Sequence, residues 1–291
     1  MENENTLVYL KTSFGVIELI EEVEKFNCNS KSYRLYLDDG LQWDSSDEYR
    51  YHQSLFAMPF LFLPKEGKKD VLVLGGGDGL GVRELWTNFE EEINSVTLVD
   101  ISKEMLFLAK NNEIFTELNK NSLNHPKITI INDDAQNFVE KTNQKFDVII
   151  LDYPDPVAYD SPVNELFSAL HYKKVSKLLN TDGIMALQAT SVFITPNLFR
   201  KLQIEISKVF SNHKRVKVDI NSYGDIGVIF ASNANIEFKR EIPENLFFSN
   251  HSLSRLFTLF KDEQPFFDDE VLDELNIKEI VQVDIKEKGI K

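Results

Sequence analysis

The chain has 291 residues, 42% of them hydrophobic, and carries 47 acidic against 32 basic side chains for a net charge of −15. Its length buries a full core as one large α/β domain or two modest ones, and its acidity excludes nucleic-acid binding, because no basic stripe exists to neutralise phosphates. A single cysteine, Cys28, excludes internal disulfides and a cysteine-based zinc site. The longest apolar run, 55–63, is far shorter than the roughly 20 residues of a membrane span. The opening Met-Glu-Asn-Glu-Asn lacks the basic and apolar regions of a signal peptide. A soluble cytoplasmic protein is expected, its acidity serving either solubility or the attraction of cationic substrates.

Residues 6–43 alternate in short runs at 7–10, 15–20 and 33–37, broken by Ser-Phe-Gly, Asn-Cys-Asn-Ser and Asp-Asp-Gly. The pattern predicts a small antiparallel β-hairpin domain over 1–46. Around Ser45, Ser46, Asp47 and Glu48 a helix starts, with Ser or Asp as N-cap and acidic residues in its first turn. From Lys69 the pattern turns to strand-then-helix repeats. Continuously apolar runs at 71–74, 96–99, 128–131, 148–151 and 184–187 read as parallel strands buried on both faces. Helical periodicity separates them at 80–89, 103–118, 135–142 and 164–179. The alternation predicts an α/β fold with a doubly wound, Rossmann-like sheet, forming a nucleoside-binding catalytic domain over 47–235. Runs at 215–219 and 227–231 read as a closing hairpin-like pair. Residues 236–291 form a C-terminal appendage, where Leu253, Leu256, Phe257 and Phe260 have helical spacing and cover the core or a subunit interface.

Ligands of such sheets sit beyond the carboxyl ends of the strands, where this chain places Asp78, Asp100, Asp134, Asp152 and Asp155. A nucleoside site lined with carboxylates is badly suited to a phosphorylated cofactor and well suited to a cationic one and a polycationic second substrate. Gly-Gly-Gly-Asp-Gly at 75–79 follows a strand and opens a helix. Its backbone at Gly75, Gly77 and Gly79 either approaches a ligand closely or packs helix on strand. It has neither the dinucleotide fingerprint nor the Gly-Lys-Ser/Thr of a phosphate loop, and it suits adenosine without phosphates. Asp100 ends the second strand 23 residues after Gly77, where a carboxylate can accept both hydroxyls of an unphosphorylated ribose. Asp134 can accept from the exocyclic amine of adenine or cap the helix starting near Ala135, and both roles fit on different lone pairs. In Asp152-Tyr-Pro-Asp155-Pro two prolines restrain the backbone and hold the carboxylates near each other, unless they form a turn of solvated aspartates. A carboxylate in reach can take the proton of an attacking amine, whose pKa is about 10. These residues support transfer of a group from a sulfonium nucleoside to an amine, the leaving thioether needing no acid.

On these motifs the chain resembles the polyamine aminopropyltransferases, the spermidine synthase family, from about residue 13 to 232. The resemblance is carried by Leu37-Asp-Asp-Gly-Leu-Gln42, Asp47-Glu-Tyr-Arg-Tyr-His-Gln53, residues 71–79, Arg83-Glu84, Asp152-x-x-Asp155-Pro156, Leu166-Phe167, Tyr172 and Asp182-Gly183. It implies a class I methyltransferase-type sheet and decarboxylated S-adenosylmethionine as co-substrate, with no permanently bound cofactor or metal. It implies an amine acceptor, putrescine giving spermidine foremost, with methylthioadenosine released. Position by position, Asp152 looks like the general base and Tyr51 its hydrogen-bonding partner. Asp78 looks like the anchor for the donor's terminal ammonium, Gln42 a donor contact, and Asp100 and Asp134 the ribose and adenine positions. His52, Asp155 and Tyr223 match the acceptor groove, and 157–165 the loop that closes over the site. A homodimer or homotetramer through the N-terminal sheet is implied in the same way.

Three positions depart from the family pattern. Gln53 replaces the Glu after Tyr-His, Tyr153-Pro154 replaces a Ser- or Thr-containing pair, and Asn221-Ser222-Tyr223 replaces Pro-Thr-Tyr. All three read as acceptor-side changes, leaving putrescine, cadaverine, agmatine and spermidine open as acceptors. This version of the motifs is closer to family members fused to or encoded as membrane-associated proteins, though no membrane segment is visible in the chain. His52 also reads as a helix residue packed on the sheet, and Tyr223 as a turn aromatic. Two rival functions fit the sequence: an S-adenosylmethionine-dependent amine N-methyltransferase, and a non-catalytic polyamine- or nucleoside-binding protein.

Overall fold

The computed structural model describes residues 4–23, 31–250 and 252–289, so Cys28 and the Asn-Cys-Asn-Ser break lie outside the described residues. The N-terminal alternation produces β1 (Glu4–Thr12), β2 (Gly15–Val23), β3 (Lys31–Leu37) and β4 (Gly40–Asp44), an antiparallel sheet in sequence order. Period-two alternation puts Ile17, Leu19, Leu35 and Trp43 on one buried face. That face packs on Leu80, Met105, Leu108 and Phe115 of the neighbouring layer. Next come α1 (Tyr49–His52), a π-helical turn (Gln53–Ala57) and α2 (Met58–Leu61).

The expected Ser or Asp N-cap is not formed. Glu48 precedes α1 without a side-chain cap, and Ser46 donates to Asp44 instead. Asp47 is drawn away by a distant partner, accepting from both the backbone N–H and the hydroxyl of Ser222 at 2.8 Å.

The second sheet holds β5 (Lys69–Gly75), β6 (Ile93–Asp100), β7 (Ile128–Asn132), β8 (Phe146–Asp152), β9 (Leu179–Gln188), β10 (Asn212–Ile220) and β11 (Gly224–Ser232). Its order is β10-β11-β9-β8-β5-β6-β7. β5 to β9 are parallel, β11 is antiparallel to β9, and β10 is antiparallel to β11. This is the doubly wound, Rossmann-like architecture of the class I methyltransferase type. Helices α3 (Leu80–Phe89), α4 (Lys103–Asn111), α5 (Glu113–Leu118), α6 (Ala135–Lys141), α7 (Pro162–Glu165), α8 (Ala169–Ser176) and α9 (Pro196–Ser207) cover its faces. Two expected helices are each divided. The 103–118 segment breaks at Asn112, whose side chain caps α5 by accepting from the N–H groups of Ile114 and Phe115. The 164–179 segment splits into α7 and α8, capped by Ser161 and Ser168, and its last residue already belongs to β9.

A large core on each face of this sheet fills the molecule. One joins Tyr51 and residues 55–63 to α3 and to Ile236, Leu246, Phe248 and Leu256. The other joins α8 and α9 to Leu272, Ile277, Ile280 and Val281. The last four come from α11 (Asp269–Glu274) and α12 (Ile277–Glu287), so residues 236–289 contribute to both cores. The expected amphipathic run at 253–260 is helical only over α10 (Leu253–Leu256). Leu253, Leu256 and Phe257 reach the core, but the chain turns before Phe260, whose exposed ring faces Lys217 Nζ at 5.2 Å. Among the described residues no helix is long and apolar enough to cross a membrane.

Asp284, fully buried on α12, accepts from Asn197 N–H, Asn197 Nδ2 and Leu198 N–H at the first turn of α9. Asp284→Ala leaves these donors unpaired and is expected to cost about 1–3 kcal/mol, to be read as a lower midpoint in urea denaturation.

Candidate active site

β5 and β8 are neighbours where the strand order reverses, the place where open α/β sheets bind ligands. There Gly75 pairs with Asp152. Gly75 has φ +88°, and a Cβ on it would lie 2.0 Å from the Asp152 carbonyl oxygen, so only glycine fits. A Cβ on Gly77 would lie 2.6 Å from Asp100 Oδ2, the atom that instead accepts Gly77 N–H at 3.0 Å. Gly79 is the N-cap of α3. The other Asp100 oxygen accepts Ser102 N–H at 2.7 Å. Asp78, between these glycines, accepts Leu80 N–H at 2.9 Å on one oxygen and the Trp43 indole N–H at 3.0 Å on the other. Asp134 caps α6 through a single oxygen, which accepts from Gln136 and Asn137 N–H. Gln42 sits on β4 beside Trp43 and donates to Gly40 O at 3.1 Å.

Asp152 ends β8 and accepts a hydrogen bond from the Tyr51 hydroxyl of α1. Burial pushes its carboxyl up to about 6; His52 and the Tyr51 hydrogen bond pull it down, while Asp78 and Asp100 push it further up. Asp100 also stands at about 6, raised chiefly by burial against the two backbone N–H groups that favour its charge. Asp155 stands at the exposed rim and accepts from Gln188 Nε2 of β9. The protein around it desolvates the carboxyl enough to raise it.

His52 is buried, with Nδ1 against Glu48. Burial opposes its charging, but Glu48 outweighs this and raises its pKa. Arg83 pairs with both Glu48 and Glu84. Tyr223 follows Ser222, which Asp47 holds. Its hydroxyl is raised by burial first, then by Asp155, Asp47 and Asp152, which puts it in the field of the carboxylate pair.

Residues 48–241 match the family model for the spermine/spermidine synthase domain. The chain belongs to the spermine/spermidine synthase family. It is 34% identical over 217 residues to a polyamine aminopropyltransferase of Leptospira interrogans, covering 75% of this chain and 42% of that protein. It is also 34% identical over 239 residues to one from Oceanobacillus iheyensis, covering 81% of this chain and 45% of that protein. The chain thus spans less than half the length of these relatives. Among solved structures, spermidine synthase from Thermotoga maritima superposes with a TM-score of 0.72 at 22% identity, covering 93% of this chain and 88% of that one. A spermidine synthase in complex with the transition-state analogue AdoDATO gives 0.74 at 21% identity, covering 93% and 89%. Both likenesses concern the fold.

At two of the three departures, Gln53 and Tyr153, the side chain is engaged within the protein. Gln53 uses its carboxamide oxygen to accept Phe247 N–H at 2.8 Å, tying down the segment after the sheet. Tyr153 turns into the second core, where its hydroxyl meets His171 Nε2 at 3.0 Å. The third, Asn221-Ser222-Tyr223, stays beside the carboxylates. The 157–165 segment is held by Asn164, which bonds Val157 and Tyr159, and by Lys278 and Gln282 of α12, which reach Asp160 and Ala158 O. Sequence reasoning missed Trp43 at Asp78, Gln188 at Asp155, and the Glu48–Arg83–Glu84 cluster behind His52. Only the spacing of Glu48 and His52, four apart at a helix start, carried a signal.

The folded chain holds a proton on Asp152 that the unfolded chain releases between about pH 4 and 6. The associated stability is present below that window and is lost as pH rises through it. Asp152→Asn is therefore expected to raise the stability of the ligand-free protein at pH 8 by about 3 kcal/mol. The gain should vanish near pH 4, as thermal melts across the pH range would show.

Proposed function

We propose that the chain transfers the aminopropyl group of decarboxylated S-adenosylmethionine to a diamine or polyamine, putrescine foremost, releasing methylthioadenosine. The observation that carries this reading is Asp152, at the strand-order reversal, hydrogen-bonded by Tyr51 and tuned to about 6. The neutral acceptor nitrogen forms a bond to the carbon next to sulfur, the carbon–sulfur bond breaks, and its electron pair stays on sulfur as a neutral thioether. Asp152 accepts the proton that the acceptor ammonium gives up to free the attacking nitrogen, and the new secondary amine leaves as an ammonium. A carboxylate of pKa about 6 is ionised at neutral pH yet more basic than an ordinary one, the compromise that general-base catalysis favours. Tyr51 fixes its orientation, and in-line alignment of nitrogen, carbon and sulfur supplies most of the rate.

On the donor side, Asp78 takes the terminal ammonium, Asp100 the ribose hydroxyls and Asp134 the adenine amine, the last keeping one oxygen outside its cap. Gly75, Gly77 and Gly79 let the backbone approach, and Gln42 flanks the donor from β4. On the acceptor side, Asp155 and Tyr223 line the groove. His52, enclosed on Glu48, acts on it as a charge behind Tyr51 and Asp152.

Purified protein incubated with a panel of amines and either form of the nucleoside tests this by mass spectrometry. Methylthioadenosine and a product heavier by one aminopropyl group are expected with the decarboxylated donor. S-adenosylhomocysteine and a methylated amine from ordinary S-adenosylmethionine would replace the reading with methyl transfer. In the active pairing, Asp152→Asn should lower kcat by about 10²–10⁴-fold. The wild-type kcat/KM should fall about tenfold per pH unit below about 6, where Asp152 becomes protonated.

A further inference from the structure

The Asp78 carboxylate is held by a side chain from the other sheet. Trp43, on β4, donates its indole N–H to Asp78 Oδ2 at 3.0 Å. The indole is 2% exposed and packs edge-on against Phe115 at 6.1 Å. Ile17, Leu19 and Leu35 of the N-terminal sheet and Leu80 and Met105 of the nucleoside-binding layer share its cluster. A side chain so enclosed has one rotamer, so its N–H has one direction. Asp78 is fixed at two further points: Leu80 N–H donates to Oδ1 at 2.9 Å, and Asn119 Nδ2 donates to the backbone oxygen at 3.0 Å.

We propose that Trp43 is a positioning residue that sets the affinity of the site for the cationic arm of the nucleoside donor. The proposal rests on the reading of Asp78 as the ammonium anchor. Each carboxylate oxygen accepts along two lone pairs. Trp43 and Leu80 take one on each, so the carboxylate is aimed before a ligand arrives and still has acceptor capacity for an ammonium. Without the indole N–H, Asp78 would have one neutral donor instead of two in a crevice it shares with Asp100 and Asp152. The carboxylate would then rotate or draw in water, and a bound ammonium would have to re-order it. A ligand with the same nucleoside but no ammonium would not register the change.

Calorimetric titration of decarboxylated S-adenosylmethionine and of methylthioadenosine into wild type, Trp43→Phe and Asp78→Asn separates the possibilities. Trp43→Phe keeps the ring and removes the N–H. It is expected to weaken the decarboxylated donor by about tenfold, the scale of a hydrogen bond to a charged group, and to leave methylthioadenosine within about twofold. Equal losses for both ligands, or none, would make Trp43 a packing residue and overturn the proposal. If Asp78→Asn leaves the ratio of the two affinities unchanged, the anchor reading itself falls, and the proposal with it. A Trp86→Phe protein leaves Trp43 as the sole indole and reports even if Trp43→Phe does not fold. Its emission should shift on binding the decarboxylated donor and not on binding methylthioadenosine, whereas equal responses would overturn the proposal.

Discussion

The hydrogen bond from Tyr51 to Asp152 lies in a crevice whose other carboxylates, Asp78 and Asp100, work against ionisation of Asp152. The nearby cations relieve this only in part, His52 lowering Asp152 while burial still leaves it at about 6. His52 is engaged by Glu48, and Arg83 by Glu48 and Glu84. What holds the aspartates in place is a set of neutral donors: the N–H groups of Gly77, Leu80 and Ser102, the Trp43 indole and the Tyr51 hydroxyl. Neutral donors orient a carboxylate without cancelling its charge. The ligand-free crevice therefore carries a cost, about 3 kcal/mol for a carboxyl raised by two units, that a cationic ligand can offset. An anionic or phosphorylated ligand would add to it.

The fold is what permits this concentration of charge. Parallel strands end together, so the residues that close β6 and β8, Asp100 and Asp152, come to one edge with the glycine loop that follows β5. The reversal of strand order between β5 and β8 opens the crevice there, and buried strands on either side keep water scarce. Tyr51 and Trp43 then enter from outside the sheet. One comes from the helix before β5 and the other from the N-terminal sheet, so the small sheet contributes to the site as well as covering a core.

The strand-end aspartates were legible because an apolar run that stops at a charged residue marks both a buried strand and its exit. The glycines were legible because the close approach of Gly75 to Asp152 and of Gly77 to Asp100 tolerates no side chain. Contacts closed over long sequence distances were not. Trp43 in an alternating strand reads simply as an inward apolar residue, and nothing near it in sequence announces Asp78. Asp47 looks like a helix cap until Ser222 claims it, and Gln53 looks like a site residue until Phe247 N–H occupies its oxygen. Tyr153 lies between two site carboxylates, yet its side chain points into the opposite core with His171. The appendage was opaque because the apolar faces of α11 and α12 make sense only against α9 and the core they cover.

The most direct test of a desolvated carboxylate crevice built for a cation is the proton balance of binding. Calorimetry of decarboxylated S-adenosylmethionine at pH 6, repeated in buffers of different ionisation enthalpy, measures the protons exchanged with solvent. A cation settling in this crevice should lower Asp100 and Asp152, which stand at about 6, so the account requires net proton release. Binding with no proton exchange, or with uptake, would mean that the donor does not engage these carboxylates and would contradict the account.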